Sequence, residues 1–591
     1  MKPYSSIGLS VLLLIVVIAV SSWWANTFYT SLQTHRSPLA NIPLDPQPAT
    51  PPLTNKIIVV VIGGLGYDAS LILESPTLGR LRQIGASAAI ESIPPTYAHT
   101  AWGTLVTGAP PETNDAPPID IPLNTPSVLG VDTIFARADQ ANLQTALLGD
   151  TPWRRLIPQN HLDQTFFVEA QTQGADAATL EAALPLVKDE TTSLVFIHFT
   201  SLDVAAQYQG GIGGTAYEQA VNNVDEYLAQ IVATLDLNQT TLVVLGDHGH
   251  IASGGHGGNE VDTIWQPLII AGPAVIPGSY SDLYQTDIAP TLTTLLGLSP
   301  PTATQGRILF EMFQVDPEHH AKAQISLTQQ RLALVDAYLT QLDSESVILP
   351  EKLLVDATNA QAALDNKNIS GALQLARFTQ DEADLIMNSA RTERIQREQL
   401  IRIPIVGVLL LGWFIMIWRR RGTHAGSIVI AATITLVSYY ALDQIQGNDY
   451  SISYFSDIET FPFAIARTTS LTILGGGLLM LIFLLLTNES DWLILLGSGY
   501  GFVVLVTLAF TLPFFWGYWQ NGLVITWYLP EVSAAYWQVV GAIQMLVAGV
   551  VGLILPWPVM SLCLFVSLMR QRLNEKQPPP PSDTIEGMHA L

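Results

Sequence analysis

The sequence predicts a doubly wound α/β domain, followed by an α-helical stalk and an α-helical membrane domain, with six spans including one at the N-terminus. Three observations carry this prediction. Continuous β-branched runs alternate with helical stretches between residues 57 and 315. Long apolar runs lie before residue 30 and after residue 400. Only 13% of the 591 residues are charged, whereas an ordinary soluble protein has roughly a quarter.

Composition excludes several classes of function. The chain has 26 Lys and Arg residues against 50 Asp and Glu residues, giving a net charge of −24. We expect no nucleic-acid partner, because the phosphate backbone binds basic surfaces. The single cysteine, Cys563, can form no disulfide within the chain and cannot build a thiolate zinc site. Any metal must be held by histidine and carboxylate.

The N-terminal 30 residues predict a membrane anchor. Residues 7–20 are almost wholly apolar and precede Trp23 and Trp24, an aromatic pair suited to the membrane interface. An uncleaved anchor is favoured over a signal peptide, because no small-residue cleavage pattern follows. Residues 31–56 are rich in proline and read as a semi-rigid linker.

The apolar runs after residue 400 predict a five-span membrane domain over 401–570 and a cytoplasmic tail over 571–591. Loop charges set the orientation, because basic clusters stay in the cytoplasm. This places both termini in the cytoplasm and the large domain outside it, in a multi-pass protein of the cell membrane with the lipid bilayer as partner. The runs are 403–418, 428–441, 471–486, 492–515 and 537–568, the last kinked by Pro556 and Pro558.

Strand and helix signals alternate within residues 57–315. Residues 56–62 form a β-branched run typical of a strand buried on both faces of a parallel sheet. Residues 193–200, 240–245 and 268–271 are read in the same way. Thr215 and Glu218 have the spacing of a capping box at the start of a helix with one apolar face.

Residues 316–400 differ in character and predict a helical stalk. Asp316 followed by Pro317 matches the preferences of a helix start. The segment is rich in Ala, Leu, Gln and Glu, so we expect two or three packed helices between the α/β domain and the membrane. A partner-docking surface is the alternative use.

Three histidines fall within nine residues directly after a predicted strand. His248, His250 and His256 lie with Asp247 in a glycine-rich loop, and glycine lets such a loop turn tightly enough for side chains to converge on one ion. In an α/β fold this end of the strands carries the ligand site. A solvated polar loop is the alternative.

Asp247-His248-Gly249, followed by His256, resembles the metal-binding loop of the alkaline phosphatase superfamily, in particular its type I phosphodiesterase/nucleotide pyrophosphatase branch. The resemblance implies a sheet of alkaline-phosphatase type and two-metal phosphoester chemistry with a Thr or Ser nucleophile. The arrangement of anchor, outer domain and further spans is also similar to that of the glycolipid-anchor ethanolamine phosphate transferases. The matching segments are 62–68, 95–108, 202–203, 247–256 and 287–292.

The sequence departs from the family pattern at three reactive positions. Gly63 stands where the family has its first aspartate, Ala98 at the nucleophile position, and Gln207 where the family has a histidine four residues after Asp203. A methyl group cannot attack phosphorus, and glycine offers no side-chain ligand. Thr96, Thr100 and His99 are the alternatives for the missing nucleophile, although a shift of about 1 Å already costs roughly a hundredfold in rate.

By family role, the residues left as metal ligands are Asp203, Asp247, His248 and His256. Each of the two implied sites keeps two side-chain ligands, whereas catalytic zinc usually has three. The expectation is therefore one divalent metal, zinc by preference, held jointly by these four residues, or no cofactor. His250 is expected to face solvent or to pack within the loop.

The sequence thus predicts a membrane protein whose phosphodiesterase-like outer domain has lost catalysis and acts as a binding or scaffolding module. Its partner would be a phosphorylated envelope ligand or a protein. The alternative is an active metal-dependent phosphoesterase or phosphoethanolamine-type transferase. It would act on an envelope or nucleotide phosphoester.

Overall fold

The computed structural model describes residues 3–73, 75–119, 125, 127–343, 347–419, 424–447, 450–455, 460–487 and 489–575. Its α/β part is built on one mixed eight-stranded sheet with the order β4-β3-β5-β1-β6-β7-β2-β8. The strands are β1 (Lys56–Ile62), β2 (Ala86–Glu91), β3 (Gln144–Asp150), β4 (Gln164–Val168), β5 (Thr192–Phe199), β6 (Thr240–Gly246), β7 (Trp265–Ala271) and β8 (Gly278–Tyr284).

The predicted central strand is confirmed. All seven residues of β1 are buried, and β1 pairs in parallel with β5 on one side and β6 on the other. One strand differs from the prediction, because β7 runs antiparallel to both β6 and β2. Its run of apolar residues reflects burial on both faces, which an inner antiparallel strand shares with a parallel one.

Helices cover both faces of the sheet, and the apolar core is accordingly divided into two main clusters. The expected α/β sheet with helices on both faces is confirmed. The helices of this part are α2 (Tyr67–Ile72), α3 (Pro76–Ile84), α4 (Ala98–Thr107), α5 (Pro111–Asn114), α6 (Ile134–Gln140), α7 (Trp153–Leu156), α8 (Ala175–Lys188), α9 (Ser201–Tyr208), α10 (Thr215–Thr234), α11 (Val261–Ile264) and α12 (Ile288–Leu295); the N-terminal helix is α1 (Pro3–Gln33).

Helix α10 has the predicted apolar face but not the predicted cap. Ala220, Val224 and Leu228 are among its buried residues. The N-cap is Gly214, one residue earlier than expected, and no side chain caps the helix. The prediction of a capping box at Thr215 is therefore wrong, because Thr215 already lies inside the first turn.

The proline-rich linker lies against the α/β part and does not hang free. Leu39 is 2% exposed, the Ser37 N–H donates to Asp115, and the N–H groups of Leu53 and Thr54 both donate to the carbonyl of Leu295. Proline stiffens the segment as expected, but its apolar side chains find partners that composition does not reveal.

Three helices follow the α/β part: α13 (Pro317–Gln341), α14 (Glu351–Asp365) and α15 (Ile369–Arg419). Asp316 caps α13 by accepting from two backbone N–H groups, as predicted. The fully buried Arg331 of α13 pairs with Asp384 of α15 at 2.5 Å. Helix α15 continues without a break across the expected boundary at residue 400, so stalk and membrane share one helix.

Six helices among the described residues are long and apolar enough to cross a membrane. The predicted kink lies at Leu555, between the last two helices. The basic residues that set the predicted orientation include Lys2, Arg420, Arg421 and Lys576, which lie outside the described residues. Besides α1 and α15, the spans are α16 (Ala425–Ile445), α17 (Thr460–Leu486), α18 (Trp492–Asn521) and a sixth formed jointly by α19 (Val532–Ile554) and α20 (Pro556–Glu575).

Candidate metal centre

The candidate site lies at the carboxyl ends of β1, β5 and β6, where an α/β sheet presents its ligands. Asp203 is in the first turn of α9, which follows β5. The histidines come from the glycine-rich loop after β6. Since β5 and β6 are both neighbours of β1, segments far apart in sequence meet at one point.

Three side chains converge there with the geometry of a metal site. One ligand atom each from Asp203, His250 and His256 can be chosen so that all three lie within 4.8 Å of one another. His250 Nε2 is 3.0 Å from Asp203 Oδ1. For zinc–ligand distances of about 2.0–2.2 Å, tetrahedral ligand atoms lie about 3.3 Å apart, so this pair has the separation of two ligands of one ion.

The protonation of His250 is fixed by its other nitrogen. Nδ1 is 2.8 Å from the carbonyl of Gly254, and a carbonyl only accepts, so Nδ1 carries the proton. In the neutral ring, Nε2 then presents a lone pair to the Asp203 carboxylate. Both atoms are buried, and neither has a hydrogen bond to any other described residue. Two facing acceptors require a cation or a proton between them.

A glycine makes this approach possible. Gly64 has φ +76°, and a Cβ there would lie 2.6 Å from His250 Nε2 and 2.8 Å from the Asp203 Cα. A side chain at this position would therefore push apart the two residues that form the site, besides being strained at that φ.

Electrostatics keep the Asp203 carboxylate charged. Burial raises its pKa, but a proton on His250 Nε2, where no cation is bound, would donate to the carboxylate, and this bond together with the nearby His248 and His256 outweighs the effect of burial and holds the pKa of Asp203 well below its ordinary value. The group is thus a charged ligand in a pocket of imidazole rings. A divalent cation fits this donor set of one carboxylate and two imidazoles.

Gln207 lies beside the same site. Its side-chain nitrogen is 3.1 Å and 3.3 Å from the two ring nitrogens of His256. The amide occupies the place next to His256 that the family resemblance assigns to a histidine. The second imidazole near Asp203 comes instead from His250, in the loop after β6.

Both oxygens of the Asp247 carboxylate accept hydrogen bonds from the protein. Its Oδ2 accepts from the indole nitrogen of Trp102 at 2.8 Å. Its Oδ1 accepts from the backbone N–H groups of Gly64 at 3.0 Å and His248 at 2.8 Å. The carboxylate is 1% exposed, and these donors satisfy its charge without a metal.

His198, which the sequence reasoning missed, borders the same carboxylate. Its Nδ1 accepts from the indole nitrogen of Trp153 at 3.2 Å, so Nε2 carries the proton and faces Asp247 Oδ2 at 3.8 Å. Burial lowers the pKa of His198. A Cβ at Gly63 would lie 3.0 Å from His198 Nε2: this imidazole fills the space beside position 63.

His248 stacks on His256 with ring centroids 4.6 Å apart, so it lies between the Asp247 group and the triad. Of the four predicted ligands, Asp203 and His256 meet in the triad with His250, whereas Asp247 and His248 belong to the neighbouring hydrogen-bonded group.

Hydroxyl groups around Ala98 are held by backbone groups. Ala98 is the first residue of α4. The Thr96 hydroxyl donates to the carbonyl of Gly258 at 3.0 Å and accepts from the Gly257 N–H. The Thr100 hydroxyl donates to the carbonyls of Pro95 and Tyr97. His99 Nε2 accepts from Arg155 at 2.6 Å.

Fold and site together define a membrane protein with a phosphodiesterase-like α/β domain. The family model for type I phosphodiesterase / nucleotide pyrophosphatase matches residues 132–265, and the resemblance to the alkaline phosphatase superfamily is confirmed.

Curated relatives are named as GPI ethanolamine phosphate transferases. The human GPI ethanolamine phosphate transferase 2 catalytic subunit is 27% identical over 288 residues, 45% of this chain and 29% of the relative. The mouse GPI ethanolamine phosphate transferase 3 catalytic subunit is 25% identical over 307 residues, 49% of this chain and 26% of the relative. The match thus spans less than a third of either relative.

Solved structures with similar folds include the human ectonucleotide pyrophosphatase / phosphodiesterase 5, which is 13% identical with a TM-score of 0.37, over 44% of this chain and 100% of that one. A Vibrio parahaemolyticus protein of the alkaline phosphatase superfamily is 17% identical with a TM-score of 0.35, over 50% of this chain and 82% of that one.

The expected loss of catalysis finds no support among the curated relatives, whose names describe transferases. The alternative expectation, a phosphoesterase or transferase, is the better supported of the two.

Proposed function

We propose that the chain is a membrane-embedded, metal-dependent phosphoesterase that acts on phosphoesters carried by lipid headgroups. The observation that carries the proposal is the convergence of Asp203, His250 and His256 within 4.8 Å. It gives the domain a three-ligand site even though Gln207 replaces the family's histidine. A divalent cation held there would polarise a phosphoryl oxygen as a Lewis acid.

The reaction that best fits the residues is direct displacement at phosphorus. Ala98 has no hydroxyl, and Thr96 and Thr100 are held by backbone carbonyls. The attacking oxygen therefore comes from outside the chain, from water or an alcohol. Its bond to phosphorus forms as the ester P–O bond breaks, and its proton passes through solvent to the leaving alkoxide.

A lipid substrate is supported by where the site lies. The glycine-rich loop contacts the segment between two membrane helices: the Gly258 N–H donates to the Ser453 hydroxyl at 2.8 Å. The carboxyl ends of the strands thus face the membrane part of the chain. A zinc-type site in this position is suited to headgroups at the bilayer surface, with the domain outside the cytoplasm as the sequence predicts.

Hydrolysis by the purified full-length chain in detergent tests the proposal. With Zn²⁺ present, we expect cleavage of bis(4-nitrophenyl) phosphate that a chelator stops and Asp203→Asn reduces to background. Asp236→Asn is the matched control, because Asp236 is exposed and, among the described residues, its carboxylate bonds to its own loop. Equal rates for Asp203→Asn and the wild type would contradict it, and no turnover on aryl or lipid phosphodiesters would favour a binding module.

An ethanolamine-type headgroup is supported by a cavity of about 330 Å³ beside His250. Two carboxylates and several aromatic rings line it, which are the groups that bind an organic ammonium ion. Asp68 and Asp262 are both exposed and would supply the negative charge. The lining includes Tyr67, Asp68, Tyr217, His250, Asp262 and Trp265.

Removing both charges tests this assignment. We expect the Asp68→Asn/Asp262→Asn double variant to raise KM about tenfold for a phosphoethanolamine lipid, since two solvent-screened contacts of about 0.7 kcal/mol each amount to that factor. The KM for bis(4-nitrophenyl) phosphate, which has no ammonium group, is expected to stay unchanged and serves as the control. An equal rise for both substrates would mean that the cavity does not recognise the amine.

A further inference from the structure

A short segment between α16 and α17 reaches the glycine-rich loop of the candidate metal centre. Its described residues, Tyr450–Phe455, form a 3-10 turn over Ile452–Tyr454, capped by the hydroxyl of Ser451. Ser453 is fully buried. We call the segment Tyr450–Phe455 the membrane clamp.

Ser453 makes two hydrogen bonds to the loop that carries His256. Its hydroxyl accepts from the Gly258 N–H at 2.8 Å and donates to Glu260 Oε2 at 2.6 Å. The first bond lies two residues after His256. The hydroxyl uses its donor and its acceptor on the same loop, so the bonds fix the clamp and the loop relative to each other.

The glycine before His256 allows the two backbones to touch. A Cβ at Gly255 would lie 1.5 Å from the carbonyl oxygen of Ser453. No side chain fits there while the clamp is in place. Glycine at this position therefore has a steric reason that involves the membrane part of the chain rather than the metal centre itself.

The segment before α4 also contacts the loop around His256. The Gly257 N–H donates to the Thr96 hydroxyl at 3.0 Å. The Tyr97 ring lies edge-on to the His256 ring, with centroids 5.4 Å apart, and Ile452 of the clamp packs in the same apolar cluster as Tyr97. The loop around His256 thus contacts both the α/β domain and the segment that joins two membrane helices.

We infer that Ser453 is a positioning residue for the cation site, acting through the Gly255–Gly258 backbone on His256. The membrane helices α16 and α17 then set the geometry of the metal centre in addition to anchoring the chain. The inference rests on the proposed function for the cation. The grip on the loop itself is independent of any metal.

The test uses the full-length chain in detergent and compares Ser453→Ala with Ser533→Ala. Ser533 is a matched control, because its hydroxyl also donates to a carboxylate, that of Glu531 at 2.7 Å, in the first turn of α19. We expect Ser453→Ala to weaken Co²⁺ affinity about tenfold or more, the effect typical of residues that orient metal ligands, and to change the visible ligand-field spectrum of the bound Co²⁺. Ser533→Ala is expected to leave both unchanged.

Gly255→Ala provides a second route to the same result, because its methyl group displaces the Ser453 backbone while the Ser453 hydroxyl is retained. Like Ser453→Ala, Gly255→Ala is expected to weaken Co²⁺ affinity. Wild-type Co²⁺ affinity and spectrum in both Ser453→Ala and Gly255→Ala would overturn the inference.

Amide hydrogen exchange in the metal-free chain separates this inference from the proposed function. The Gly258 amide loses its acceptor in Ser453→Ala, so we expect its exchange to quicken at least about tenfold. Unchanged exchange would overturn the clamp whether or not metal binds. A wild type that binds no cation, together with quickened exchange, would refute the proposed function and support the grip on the loop.

Discussion

Replacing His250 with alanine is expected to weaken divalent-cation affinity by more than about 100-fold, because an outer-shell partner alone typically costs 10- to 100-fold and His250 is a ligand. Cation-dependent hydrolysis should fall with it. Isothermal titration with Zn²⁺ and the phosphodiester assay measure the two effects. His161→Ala is the control, since His161 lies in the 3-10 turn after α7.

A compensating change makes this prediction sharper. Gln207 contacts His256, so a histidine at position 207 would place an imidazole next to the vacated position. We expect Gln207→His to restore part of the affinity lost in His250→Ala. Full affinity in the single variant His250→Ala would contradict the assignment of the triad.

Trp102→Phe is expected to destabilise the α/β part by about 1.5–3 kcal/mol, because it removes a hydrogen bond to a buried charged group. The indole nitrogen of Trp102 donates to Asp247 Oδ2 at 2.8 Å, and phenylalanine keeps most of the ring. Thermal unfolding of the purified chain, followed by near-ultraviolet circular dichroism, measures the loss.

Trp153→Phe is the matched comparison. Trp153 is fully buried and stacks on Trp102 with centroids 4.7 Å apart, but its indole nitrogen donates to the neutral ring of His198. A bond between neutral groups contributes about 0.5–1.5 kcal/mol, so its loss should cost less. Equal destabilisation by the two variants would mean that the Asp247 carboxylate does not depend on Trp102.

Strands buried on both faces, such as β1 and β6, were predictable, because this burial requires a continuous run of apolar, β-branched residues. The direction of β7 was not predictable, because this antiparallel strand is buried like the parallel strands β1 and β6 and has a similar apolar run. The cap of α10 shows a similar limit: Thr215 and Glu218 have the right spacing, yet the backbone turns one residue earlier, at Gly214.

The site shows the same division. Clustering of histidines after a strand located the loop, and Asp203 followed from the family resemblance. The contact between His250 Nε2 and Asp203 was not predicted, because the two side chains meet only once β5 and β6 flank β1. His198 lies inside an apolar strand, where a histidine reads as core. The only indication in the sequence was an ionisable residue within an otherwise apolar strand.

Counting the cations bound to the purified full-length chain, by plasma mass spectrometry after dialysis against trace Zn²⁺, bears on the assigned triad without reliance on any substrate. The expected result is one ion per chain in the wild type and in Asp247→Asn, and none in Asp203→Asn. Zinc retained by Asp203→Asn but lost from Asp247→Asn would place the ion on the wrong carboxylate and contradict the account.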